Sequence, residues 1–74
     1  MITISQIHAK IAEAIKQSGM SQSRLAEKIG VKQPTVSHYI KGDKLPSLDT
    51  FANLCVALDV DANEMLCINN ESSL

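Results

Sequence analysis

Residues 21–42 read SQSRLAEKIG (Ser21–Gly30) followed by VKQPTVSHYIKG (Val31–Gly42), and this stretch decides the fold. Ser21 suits an N-cap, because its hydroxyl can accept one of the unpaired N–H groups at a helix start. Leu25, Ala26 and Ile29 then recur at the spacing that lines one face of a short helix, Gln22 to about Ile29. Gly30 follows, and glycine enters the left-handed backbone region at little cost, so the chain can turn sharply there. A second helix is expected from about Gln33 to Lys41. Pro34 falls in its first turn, where the missing N–H is harmless, and Gly42 closes it. Ala26 is small where two crossing helices must come close, and Val31, Val36 and Tyr39 let the second helix lean on the rest of the chain. Two short helices joined by a glycine turn, with apolar residues at matched offsets, make a helix-turn-helix pattern.

The flanks read as three further helices. Thr3 and Gln6 can form a capping box, after which Ile7, Ile11, Ala14 and Ile15 recur at helical spacing. Ser18-Gly19 ends that helix, with Gly19 suited to the left-handed position just past it. Met20 and Leu25 occupy the two hydrophobic-staple positions around Ser21. Downstream, GDKLP is a loop, and Ser47 is expected to cap a fourth helix carrying the stripe Leu48, Phe51, Leu54, Cys55 and Leu58. Asp61 and Glu64 can form a second capping box, with Val60 and Met65 as its staple, so a short fifth helix is expected over roughly 62–67. The expectation is an all-α domain of five helices over residues 1–68, followed by a short frayed tail, NNESSL, at 69–74.

A chain of 74 residues is one domain, and at this size folding buries only about 60% of the surface of the unfolded chain. Hydrophobic residues make up 45% of it, but it has one Phe, one Tyr and no Trp, so the core must be aliphatic. The start, MITISQIHAKIAEAIKQ, carries no apolar signal region, and the longest uninterrupted apolar run, Leu54–Leu58, falls far short of the roughly 20 residues that span a bilayer. Cys55 and Cys67 have no CxxC spacing and read as reduced thiols of a cytoplasmic protein. Cys55 is expected to be a small buried hydrophobe, whereas the position of Cys67 near the C-terminus allows exposure.

The net charge of −1 argues by itself against a polyanionic partner. Its distribution argues otherwise. Residues 24–44 hold Arg24, Lys28, Lys32, Lys41 and Lys44 against Glu27 and Asp43. Residues 45–74 hold Asp49, Asp59, Asp61, Glu64 and Glu71 with no base. A basic centre beside an acidic remainder is the asymmetry expected when one face meets a polyanion.

At these residues the chain resembles the phage-repressor and Cro-like helix-turn-helix proteins, the XRE family, from about Ile7 to Leu66. The matching features are Ser21-Gln22, Leu25-Ala26, Ile29-Gly30-Val31, Val36-Ser37, the Gly42-x-x-x-Pro46 loop, Leu58-Asp59-Val60-Asp61 and Glu64-Met65-Leu66. The resemblance implies a compact five-helix, lambda-repressor-like DNA-binding domain that regulates transcription, expected as a repressor, and that binds double-stranded operator DNA as a homodimer.

Carried over by position, the resemblance puts the second helix of the motif in the major groove. Gln33, Pro34, Thr35 and His38 then stand where the family reads base edges. Gln22, Lys32, Ser37, Lys41 and Lys44 stand at or near phosphates, although the small Ser37 suits packing somewhat better than a phosphate. The chemistry is coherent: Gln33 can pair bidentately with adenine, the Thr35 methyl can pack on a thymine methyl, and His38 can donate to a guanine acceptor or a phosphate. Three departures stand out. Lys32 replaces the usual Ser or Thr cap of the reading helix, and Pro34 replaces a frequent base donor. Ile15 and Ile40 occupy the positions of a common Arg–Glu ion pair and are expected to replace it with apolar packing.

No enzyme is expected. Ser37 and His38 are adjacent, and neighbours on a helix do not face each other. His8, expected at the surface or boundary, and His38, Cys55 and Cys67 lack zinc spacing. No cofactor, metal, small-molecule substrate or membrane partner is implied. The alternative reading is a protein-interaction module or antitoxin that uses the same fold to bind a partner protein. Polar outward residues on the reading helix favour DNA.

Overall fold

The computed structural model describes residues 1–68, and in that range it contains five helices and no strand. The helices are α1 (Ile4–Gln17), α2 (Gln22–Ile29), α3 (Gln33–Lys41), α4 (Leu48–Leu58) and α5 (Ala62–Met65). The tail expected at 69–74 lies outside the described residues.

Local chemistry sets most of the boundaries. At the start of α1 the capping box is closed from both sides: the Gln6 N–H donates to Thr3 Oγ1 at 3.3 Å, and Gln6 Oε1 accepts from the Thr3 N–H at 2.8 Å. At its end Ser18 Oγ donates to the Ile15 carbonyl at 2.7 Å and accepts from the Met20 N–H at 3.1 Å, while Gly19 turns at φ +71°. Ser21 caps α2 by accepting from the Arg24 N–H at 3.1 Å.

Three expectations at the C-terminal half are corrected. Ser47 does stand at the N-cap of α4, but its hydroxyl donates to Asp49 Oδ1 at 2.6 Å and makes no cap bond to the backbone. Asp49 satisfies the helix start instead, accepting from the Thr50 N–H at 2.9 Å, and the bond from Ser47 holds its carboxyl below the ordinary carboxylate range. Asp61 caps α5 through the Asn63 N–H at 2.9 Å, one residue earlier than a box with Glu64 would use. The fifth helix is also shorter than expected, because Cys67 adopts a left-handed φ of +64° that a continuing helix cannot accommodate. Cys67, for which the sequence left exposure open, is buried.

The core is aliphatic, as composition requires. Ile11, Ile15, Leu25, Ile29, Val36 and Leu54 are buried together with Ala26, Tyr39, Phe51, Cys55 and Met65. Ile15 belongs to this cluster and Ile40 packs against it, so both positions are apolar parts of the core. Met20 and Val60, the outer staple residues, pack on the same cluster. Burial raises the Tyr39 phenol above its ordinary value, and burial with the nearby Asp61 charge raises the Cys55 thiol, so both serve as neutral core groups. α3 packs on α1 and on α2, α2 also meets α4, and α5 closes against α1.

Candidate nucleic-acid interface

The site is the outer side of α2 and α3, and its geometry follows from how the inner side is held. Val36 and Leu25 have no exposed surface, and Ala26 lies beside them at 3%. Gly30 turns the chain at φ +75° between the two helices, and the Val31 N–H closes the turn on the Ala26 carbonyl at 3.0 Å. With Val36 and Tyr39 facing in, 3.6 residues per turn puts Pro34, Ser37, His38 and Lys41 on the opposite side and Gln33, in the first turn, at its edge. Gln33, Pro34, His38 and Lys41 are exposed there and Ser37 is half-buried. Thr35 sits on the flank of that face, also half-buried.

Lys32 is the N-cap residue of α3 and, as expected for a side chain with no acceptor, makes no cap bond. It and Lys44, which follows α3 in the loop, are exposed. Three lysines therefore border the face: Lys32 at the start of α3, Lys41 at its end and Lys44 beyond it. Gln22 occupies the first position of α2 and is half-buried.

Two polar bonds organise this outer side, and neither is anticipated by the spacing of single residues. Gln33 Nε2 donates to Gln22 Oε1 at 3.1 Å, across the two helices of the motif. The bond uses one of the two Nε2 hydrogens of Gln33. The other hydrogen and Oε1 remain, which is the donor–acceptor pair that adenine N7 and N6 require. Gln22 keeps its own Nε2 as a donor, suited to a phosphate oxygen. At the other end of α3, His38 Nδ1 lies 2.8 Å from Asp43 Oδ1, with both side chains about half exposed.

Asp43 enters the sequence reading only as a charge, and the signal that could have placed it is the glycine before it. Gly42 is left-handed at φ +85°, so the chain folds back over the end of α3. The Asp43 N–H then donates to the His38 carbonyl at 3.3 Å, the 6→1 bond of a Schellman ending. In that ending the residue after the glycine sits over the residue five before it, usually as an apolar contact. Here the pair is His and Asp. The ring of His8 on α1 packs on the other side, about 3.9 Å from where a Gly42 Cβ would stand, which makes His8 a boundary residue as expected.

A buttressed reading helix with an outward polar face, bordered by lysines and entered through a glycine turn, defines a helix-turn-helix DNA-binding domain. Comparison with known proteins gives the same class. The Helix-turn-helix family model matches residues 11–65. The chain is 32% identical over 63 residues to the uncharacterized HTH-type transcriptional regulator YgzD of Bacillus subtilis strain 168, covering 85% of this chain and 96% of the relative. It is 35% identical over 66 residues to the antitoxin HipB of Escherichia coli strain CFT073, covering 81% of this chain and 70% of the relative. HipB of Escherichia coli K12 is 33% identical, with 81% of this chain and 75% of the relative covered. The chain belongs to the XRE-type helix-turn-helix family. No helix among the described residues is long and apolar enough to cross a membrane.

Proposed function

We propose that the protein is a sequence-specific DNA-binding transcriptional regulator that acts as a repressor in the cytoplasm, without catalysis. In this reading α3 lies in the major groove of operator DNA. Gln33, Pro34, Thr35 and His38 meet base edges, with Pro34 contributing shape alone. Gln22, Lys32, Ser37, Lys41 and Lys44 hold the phosphates on either side. The observation that carries the reading is the outward face of α3, where polar and basic side chains stand on a helix whose other side is fixed in the core. Two copies would bind as a homodimer to half-sites about one helical turn, ≈ 34–36 Å, apart.

Selection from a random duplex pool tests this. The wild-type protein should enrich one two-fold-related sequence at moderate salt, and Gln33→Ala should flatten the adenine preference at one position of each half-site. Lys44→Ala should weaken all sequences alike and lower the salt slope by about one unit. A pool that stays random overturns the reading.

The likeness to two HipB antitoxins supports a second activity alongside the first, in which the same domain also holds a toxin protein. Co-purification of a single partner at one-to-one stoichiometry, undisturbed by Gln33→Ala, would favour it.

A further inference from the structure

We propose that Asp43 is a specificity-positioning residue: it fixes which nitrogen of His38 carries the proton, and so makes His38 a reader of base amino groups. The inference rests on the proposed placement of α3 in the major groove, and it names the base chemistry that His38 recognises there.

An ionised carboxylate can only accept hydrogen bonds. At 2.8 Å from Asp43 Oδ1, His38 Nδ1 must therefore be the N–H of the ring. A neutral imidazole has one N–H, so Nε2 is left as an acceptor, on the far side of the ring from Asp43. In the major groove the groups that donate are the N6 amino group of adenine and the N4 amino group of cytosine. Guanine presents N7 and O6, and thymine presents O4, all acceptors. A neutral His38 held in this tautomer therefore favours adenine or cytosine and leaves guanine and thymine with two facing lone pairs. This reverses the simpler expectation that His38 donates to guanine.

The geometry is supported at three points. Asp43 is tied to His38 by the backbone as well as the side chain, through its N–H on the His38 carbonyl at 3.3 Å. Gly42 supplies the left-handed turn that brings Asp43 back over α3, at φ +85°. His8 packs behind Gly42 and backs that turn from α1. A hydrogen bond this exposed adds little to stability, but selecting between two tautomers of a neutral ring demands little. Asp43 also carries a negative charge close to where phosphates would lie. That charge is a cost to general affinity, so the residue separates affinity from specificity.

The test has a DNA-free arm and a DNA arm, both at pH 8, above the range in which a histidine ordinarily changes charge. In the free protein, long-range ¹H–¹⁵N correlation of the His38 ring should show the proton on Nδ1 in the wild type and a mixed or Nε2-protonated ring in Asp43→Ala. A wild-type ring protonated on Nε2 overturns the proposal whether or not the protein binds DNA. In pool selection the wild type should prefer adenine or cytosine at one position by roughly tenfold, the scale of one good hydrogen bond. Asp43→Ala and His38→Ala should each flatten that same position to within about twofold, and the double variant should be no flatter. Asp43→Ala should meanwhile bind all sequences more tightly than the wild type at low salt. If His38→Ala flattens a position that Asp43→Ala leaves intact, the site reading stands and the positioning role fails. If Asp43→Ala flattens a position that His38→Ala leaves intact, Asp43 touches the base itself and the proposal is overturned. If His38→Ala changes nothing, the placement of His38 in the groove fails, and the DNA part of the inference with it.

Discussion

The two sides of the helix-turn-helix are held by different forces. The inner side is a packed surface: Leu25, Ala26, Ile29, Val36 and Tyr39 are buried against α1 and α4, and each is fixed by the volume around it. The outer side has no such packing. Its side chains are exposed or half-buried, and two are held by single polar bonds, Gln33 by Gln22 and His38 by Asp43. Loss of a contact on the inner side should unfold the domain. Loss of a contact on the outer side should leave it folded and change what it reads.

The largest effect is expected at Leu25→Ala. Leu25 has no exposed surface, and truncation of such a residue costs about 2–5 kcal/mol from lost burial and the cavity left behind. A domain has only about 5–15 kcal/mol in total, and one of this size lies toward the lower end. Chemical denaturation should show a large drop in midpoint, with DNA binding lost in proportion. Gln33→Ala on the other side should change the unfolding free energy by no more than about 0.5 kcal/mol. Equal losses at the two positions would break the contrast between the sides.

Gly30→Ala comes next, and it tests the turn apart from the packing. A Cβ at Gly30 would meet nothing within 4 Å, so the substitution creates no clash. The backbone nevertheless sits at φ +75°, where an L side chain costs roughly 1–2 kcal/mol. That loss should appear as reduced stability with unchanged operator preference, because the turn sets the angle between α2 and α3 only in the folded protein. A larger loss would mean that the turn has a packing role that the open space around it does not suggest.

How much of this was legible in the sequence follows from the same division. Inner positions announce themselves through periodicity: Leu25, Ala26, Ile29, Val36 and Tyr39 can be assigned because helical spacing and side-chain volume point the same way. Helix starts are legible where the cap is a single residue with a short polar side chain, as at Thr3 and Ser21. They are less so at Ser47 and Asp61, where two or three candidate acceptors compete for the same few N–H groups and small differences in geometry decide which wins. The burial of Cys67 was not legible, because it depends on a left-handed turn at a residue that is not glycine. The outer face was legible as a set of residues but not as a network. Gln22 and Gln33 are brought together by the crossing of two helices, which no local pattern encodes. His38 and Asp43, by contrast, meet through a local ending that Gly42 makes possible, and this pair could have been read.

Lys32→Ser should have a smaller effect, and one of opposite sign on the two properties. Lys32 stands at the N-cap of α3 with no cap bond, so a serine there can accept from the helix start and add about 1 kcal/mol of stability. The same change removes a cation from the edge of the reading face. Operator and non-operator DNA should then bind more weakly alike, with a salt slope lower by about one unit. A more stable protein that binds DNA less well would separate the scaffold from the interface at one residue. If affinity is unchanged, Lys32 is a surface charge and the phosphate contact lies elsewhere.

The smallest effect on stability is expected at Gln22→Ala. The bond from Gln33 Nε2 to Gln22 Oε1 is an exposed contact, and water replaces the lost acceptor, so the unfolding free energy should change by less than about 0.5 kcal/mol. Its effect on DNA should be twofold. Removal of the Gln22 amide takes away a phosphate donor and weakens every sequence. Removal of its Oε1 frees the Gln33 side chain to rotate, so the adenine preference at the Gln33 position should fall without being abolished. The two consequences are separable, since the first is uniform across sequences and the second is confined to one base position. A Gln22→Ala protein that loses affinity uniformly but keeps the full adenine preference would show that Gln33 is held by the base alone. The contrast between a packed inner side and a polar, bond-organised outer side would then hold only at the His38 end of α3.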